Sequence, residues 1–204
     1  MNKLKSIFGN FFSWVSSLII AIFISLFIVS NIVTMTQIKE LSMEPTLFEN
    51  ERVVINRAIY YIREPQRGEV VILNKKPVEK GIFINMVYEV KEIVNSLRYR
   101  FTGVIEKNIL IKRVIAIPGD TIAFVNGQVE VNGIILDEEY AQGLTYKRAS
   151  HGQIYEIPEG MVFVMGDNRE RSLDSREFGP IYIEQIKGRA EYIFYPFDKM
   201  GKIR

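Results

Sequence analysis

The chain has 204 residues, a net charge of +2 and a pI near 8.7. That length allows a membrane anchor plus one domain of ordinary size, and so small a charge gives no footing for nucleic-acid binding. Cysteine is absent and histidine occurs once, as His151, which excludes disulfides, thiol catalysis and cysteine-based zinc sites and leaves a His-based triad a single candidate base.

The first element is apolar. No charged residue stands between Lys5 and Lys39, and Phe11 to Val33 exceeds the roughly 20 residues needed to span a bilayer. Lys3 and Lys5 precede the run, and Trp14 sits near its start, where aromatic rings anchor at headgroup level. A cleaved signal peptide is the alternative. The run is longer than a signal-peptide core, however, and no Ala-x-Ala site follows it. The expected order is therefore a short cytoplasmic N-terminus (1–10), one transmembrane helix (11–33) and an extracytoplasmic domain (34–204).

Beyond the anchor the pattern is mainly β. Strands are predicted at Glu51–Asn56, Glu69–Leu73 and Ile109–Ile117, the last ending in Pro118-Gly119-Asp120. Thr121–Val125 and Gln128–Val131 flank Asn126-Gly127, a type I′ hairpin signal, and Asn132-Gly133 is a second tight turn. Met161–Met165 and Arg189–Tyr195 complete the strands. Short strands with frequent turns predict a compact sandwich or barrel-like domain. Residues 80–107 interrupt it. There Ile84, Val87, Val90 or Lys91, Val94 and Leu97 follow helical spacing, although the many β-branched and aromatic residues also fit a long hairpin.

Three segments carry candidate chemistry. Ser42 lies between Leu41 and Met43, and Pro45 stops a helix from continuing, so the hydroxyl can project from a kinked segment; an ordinary loop serine fits equally. Lys112 and Arg113 are two cations in a strand that is otherwise apolar on both faces. Burial would lower the lysine pKa and yield an amine able to take the Ser42 proton. An edge-strand lysine with its head in water is the competing reading. Gly166 to Gly179 packs Asp167, Glu170, Asp174 and Glu177 among Arg169, Arg171 and Arg176. This is either a rigid network able to orient a lysine or a solvated loop. With no partnering histidines and no calcium-loop pattern, a metal site is not expected.

Ser42-Met43-Glu44-Pro45-Thr46-Leu47, Arg67-Gly68-Glu69-Val70-Val71, Lys112 to Asp120, and Gly166-Asp167-Asn168-Arg169 with Ser172 to Arg176 follow one another behind the anchor. In this order they closely resemble the bacterial type I signal peptidases, from the anchor to about Pro180. The resemblance implies a membrane-bound serine endopeptidase with a mostly β catalytic core and no cofactor. Its substrates would be signal-peptide-bearing preproteins at the surface of the lipid bilayer. It implies Ser42 as nucleophile and Lys112 as general base. Ser172 would orient the amine, Asp174 and Arg176 would hold the surrounding network with Asp167 nearby, and Leu41 and Met43 would help line a pocket for a small residue. Glu40 departs from the family, some members of which carry a hydroxyl donor and others glycine two residues before the nucleophile. A carboxylate there cannot donate to an oxyanion, so it is expected to point away. The segment 80–107 has no counterpart that assigns it a role. Self-cleaving repressor proteases share Ser-Lys chemistry but would carry a DNA-binding module in place of the anchor. An idle relative serving as a membrane-bound assembly protein is the non-enzymatic alternative.

Overall fold

The computed structural model describes residues 2–75, 81–102, 109–146 and 154–203. His151 lies outside them. Two compact units form, one from residues 1–33 and 80–104, the other from 34–79 and 105–204.

The first unit is helical. Helix α1 runs Asn2–Asn31, two residues short of the apolar run, because Val33 already begins a strand. Among the described residues, Phe11–Asn31 of α1 is the one stretch long and apolar enough to cross a membrane, and its apolar side chains from Phe11 to Phe23 are exposed. Helix α2 runs Ile82–Thr102, so the helical spacing in the 80–107 segment prevails over the hairpin alternative. Its first turn meets the last turn of α1. Asn31 Nδ2 donates to the Ile82 carbonyl (3.4 Å) and Asn85 Nδ2 donates to Asn31 Oδ1 (3.1 Å).

The second unit is built of strands: β1 Val33–Gln37, β2 Arg52–Asn56, β3 Val70–Asn74, β4 Ile109–Ala116, β5 Thr121–Val125, β6 Gln128–Val131, β7 Ile134–Ile135, β8 Ile154–Glu156, β9 Met161–Met165, β10 Ile181–Tyr182, β11 Ile186–Tyr195 and β12 Gly201–Lys202. One short helix, α3 Ser175–Phe178, follows β9. The larger sheet has the order β1-β2-β11-β3-β4-β9-β10, with β12 added on β11; the smaller has the order β7-β6-β5-β8. The predicted hairpin is present, with Asn126 and Gly127 both at positive φ (50° and 80°), as a type I′ turn requires.

Strand β4 decides the environment of the lysine. It pairs with β3 on one side and β9 on the other, and both of its faces are covered. The edge-strand reading of Lys112 therefore fails, because a central strand in a covered sheet offers its side chains no direct route to water. Three apolar clusters enclose it. Met43, Leu47, Val53 and Ile55 belong to one, Val71, Val114 and Val164 to a second, and Ile115, Ile122, Phe163 and Met165 to a third.

Candidate active site

Ser42 sits in a single 3-10 turn, Leu41–Met43. Met43 and Leu47 fix that turn by inserting into the core, and the Leu47 N–H donates to the Met43 carbonyl (2.8 Å). From the other side the Asn168 N–H donates to the Ser42 carbonyl (3.1 Å). The serine backbone is thus held at both ends while its hydroxyl stays available. Lys112 stands opposite Val71 on β3. Its Nζ lies 2.7 Å from Ser42 Oγ and 2.9 Å from the Ile111 carbonyl oxygen. Lys112 is 1 % exposed and Ser42 4 %.

Burial dominates the electrostatics of this pair. Removing the ammonium from water lowers the Lys112 pKa from 10.5 to about 8. The carboxylates of Glu40, Asp174 and Asp167 oppose the shift, while Arg176 adds to it. A protonated Nζ donates to Ser42 Oγ. A neutral one carries a lone pair that can accept the serine proton across the same gap. Glu40 is half-buried, and its carboxylate is the strongest single charge acting on the lysine.

The loop after β9 surrounds the pair. Arg176 grips Asp174 with two parallel bonds, Nε to Oδ1 (2.8 Å) and Nη2 to Oδ2 (2.9 Å), and the Gly166 N–H also donates to Oδ2 (3.0 Å). Burial alone would raise the Asp174 pKa. The Arg176 guanidinium, the Gly166 amide and the Ser172 hydroxyl together hold it below the ordinary carboxylate value. Asp167 lies in this region but pairs with Arg113, not the lysine: Arg113 Nε and Nη2 reach its two oxygens at 2.9 and 2.7 Å. Ser172 is buried against Gly166, where an added Cβ would overlap both Ser172 Oγ and the Ser42 carbonyl oxygen. Only glycine allows the loop this close to the serine. Leu41 is exposed, whereas Met43 is buried among Ile38, Leu47, Val53 and Ile55.

Several supporting pairings escaped the sequence reading. Thr46 Oγ1 donates to Asp167 (2.5 Å), Arg113 Nη1 donates to the Gly68 carbonyl (2.7 Å), and the Tyr140 ring covers the Arg113 guanidinium at 4.0 Å. Arg169 binds both Glu138 oxygens (2.9 and 2.7 Å) and the Gly166 carbonyl (3.0 Å). Arg67 forms an ion pair with Asp120, which ties two of the quoted motifs together. Sequence shows the cations of these pairs as members of motifs. It does not show Glu138 and Tyr140, which stand in an unremarkable stretch. Among the described residues no group of acids and histidines is arranged to hold a metal ion.

The family described as "Signal peptidase, peptidase S26" matches residues 11–195. Signal peptidase I S of Bacillus subtilis (strain 168) is 31 % identical over 212 residues, spanning 99 % of this chain and 96 % of that protein. Signal peptidase I of Bacillus licheniformis is 29 % identical over 203 residues, covering 95 % and 94 % of the two chains. A crystal structure of a signal peptidase I from Enterococcus faecalis V583 is similar at 27 % identity and a TM-score of 0.40, covering 63 % of this chain and 97 % of that one. With a family match that reaches from the apolar helix through the last long strand, this chain belongs to the signal peptidase family, peptidase S26.

Proposed function

We propose that this protein is a membrane-anchored endopeptidase that removes signal peptides from exported preproteins, with Ser42 as nucleophile and Lys112 as general base. The observation that carries the reading is the 2.7 Å approach of a desolvated lysine amine to a serine hydroxyl.

Ser42 Oγ attacks the scissile carbonyl carbon, and its proton passes to the neutral Lys112 Nζ. The carbonyl π electrons move to oxygen, where the backbone N–H of Ser42 serves as a donor. As the C–N bond breaks, Nζ returns the proton to the departing amine. The acyl-enzyme that remains is hydrolysed by water, which Lys112 deprotonates in turn. Ser172, Asp174, Arg176 and Asp167 are positioning residues: they fix the loop and the charges around the amine. Leu41 is the exposed wall beside the nucleophile, and Met43 backs the turn that carries it. No step calls on a cofactor.

The anchor gives the reaction its location. Helix α1 crosses the membrane with its N-terminus cytoplasmic, and the β unit is extracytoplasmic. Ser42 follows Val33 by nine residues, which limits it to roughly 30 Å of chain from the span. A preprotein held in the same bilayer by its own signal segment is then presented at high effective concentration. Ser42→Ala and Lys112→Ala are each expected to abolish cleavage of a preprotein while leaving the thermal unfolding midpoint near that of the parent. Normal cleavage by folded Lys112→Ala would remove the lysine from the mechanism.

A further inference from the structure

Helix α2 carries a continuous apolar stripe. Phe83, Val87, Val90 and Val94 recur at i, i+4, i+7 and i+11, which places them along one face of a helix. All four are exposed, Phe83 at 73 % and Val87 at 55 %. A different arc docks on the rest of its own unit: Met86 is buried, and Asn85 bonds Asn31. Glu92 lies on the side away from the stripe. The sequence of α2 includes Glu89, Lys91, Glu92, Arg98 and Arg100, which makes it too polar to cross a bilayer.

Its starting point selects the partner. The first turn of α2 is hydrogen-bonded to Asn31, the last residue of α1. If α1 spans the membrane, Asn31 marks the membrane surface, and α2 begins there. An amphipathic helix starting at that level has lipid as the nearest cover for its apolar face. We infer that α2 lies in the surface plane of the bilayer as a second attachment, with Phe83, Val87, Val90 and Val94 sunk among the lipids. This rests on the membrane-anchor reading of α1.

Because the chain has no cysteine, single cysteines can be placed in the full-length protein at Val87, Val90, Glu92 and Ile20 and labelled with an environment-sensitive fluorophore. The labelled proteins, checked for an unchanged thermal midpoint, are reconstituted into phosphatidylcholine–phosphatidylglycerol vesicles with and without lipid-borne nitroxide quencher. Labels at Val87, Val90 and Ile20 are expected to emit at shorter wavelength and to be quenched at least about threefold more than the label at Glu92. If Ile20 is quenched while Val87 and Val90 behave like Glu92, the inference about α2 is overturned and the anchor stands. If Ile20 is not quenched, the anchor reading fails and takes this inference with it. Stripe labels shielded from water yet insensitive to the lipid quencher, with energy transfer between copies, would assign the stripe to a second copy of the chain and overturn the proposal.

Discussion

In the proposed reaction only a neutral Lys112 amine can accept the Ser42 proton, so kcat/KM on a short soluble peptide should follow its deprotonated fraction. Burial sets the pKa at about 8. The neutral fraction is then about one-tenth at pH 7 and about nine-tenths at pH 9, a rise of roughly tenfold that levels off above pH 9. A lysine left at its ordinary value would rise roughly a hundredfold over that interval and still be climbing at pH 10. The two cases therefore differ in shape as well as in level. Glu40 supplies a second perturbation. Its carboxylate is the strongest charge stabilising the ammonium form. Glu40→Gln removes that attraction, so the inflection should move to lower pH and the rate at pH 7 should increase. Initial rates of a fluorogenic peptide between about pH 6 and pH 10 for parent and variant measure both effects. A parent profile without a plateau, or an inflection that moves upward in Glu40→Gln, would refute the claim that desolvation tunes this amine against its neighbouring carboxylates.

The same lysine should leave a signature in stability. Its folded pKa of about 8 lies below the unfolded value of 10.5, so between them the unfolded chain binds more protons and stability rises with pH. Urea unfolding should show the parent gaining about 1 kcal/mol on Lys112→Met between pH 7 and pH 9, whereas parallel curves would mean an unshifted lysine. Gly166→Ala should abolish peptide cleavage and destabilise the fold by about 1–3 kcal/mol, since the new methyl meets Ser172 and the Ser42 carbonyl oxygen; a variant of parental activity would mean the loop can withdraw without disturbing the serine. Asp167→Ala leaves the Arg113 guanidinium buried without its carboxylate, and chemical denaturation should record a loss of about 3–5 kcal/mol; a loss below about 1 kcal/mol would show that water reaches the arginine.

Local pattern exposed most of the strands, because apolar runs bounded by Gly, Pro, Asn and Asp leave little choice of conformation. The hairpin around Asn126-Gly127 is the clearest case: both residues adopt the positive φ that their types favour. Val33–Gln37 was not legible as a strand, since its first residue continues the apolar run of α1. Strand order was not legible either. The long C-terminal strand β11 lies between β2 and β3, a pairing fixed by contacts more than 100 residues apart in sequence, about which local periodicity is silent. In α2 the helical period was visible but its phase was not. Spacing puts Ile84 in the apolar series, yet Ile84 is half-buried and the exposed stripe begins at Phe83. Which arc docks depends on Asn85 meeting Asn31, a long-range fact.

Lys112 and Arg113 show why the site itself was only partly legible. Both cations are evident in the sequence, and both are almost fully buried in β4, 1 % and 2 % exposed. As neighbours in a strand they point to opposite faces, and the fold treats them oppositely. Arg113 receives a bidentate carboxylate from Asp167, 54 residues away, and the Tyr140 ring against its plane. That pair joins β4 to the loop after β9. Among the described residues, Lys112 meets a hydroxyl and a carbonyl oxygen but no carboxylate within bonding distance, so burial moves it toward the neutral form. The residue types suit these fates and cannot be exchanged. An arginine at 112 would not release its proton near neutral pH, and a lysine at 113 could not span both oxygens of Asp167. The catalytic reading therefore rests on a contrast in pairing between adjacent residues, and that contrast exists only once distant segments have been brought together.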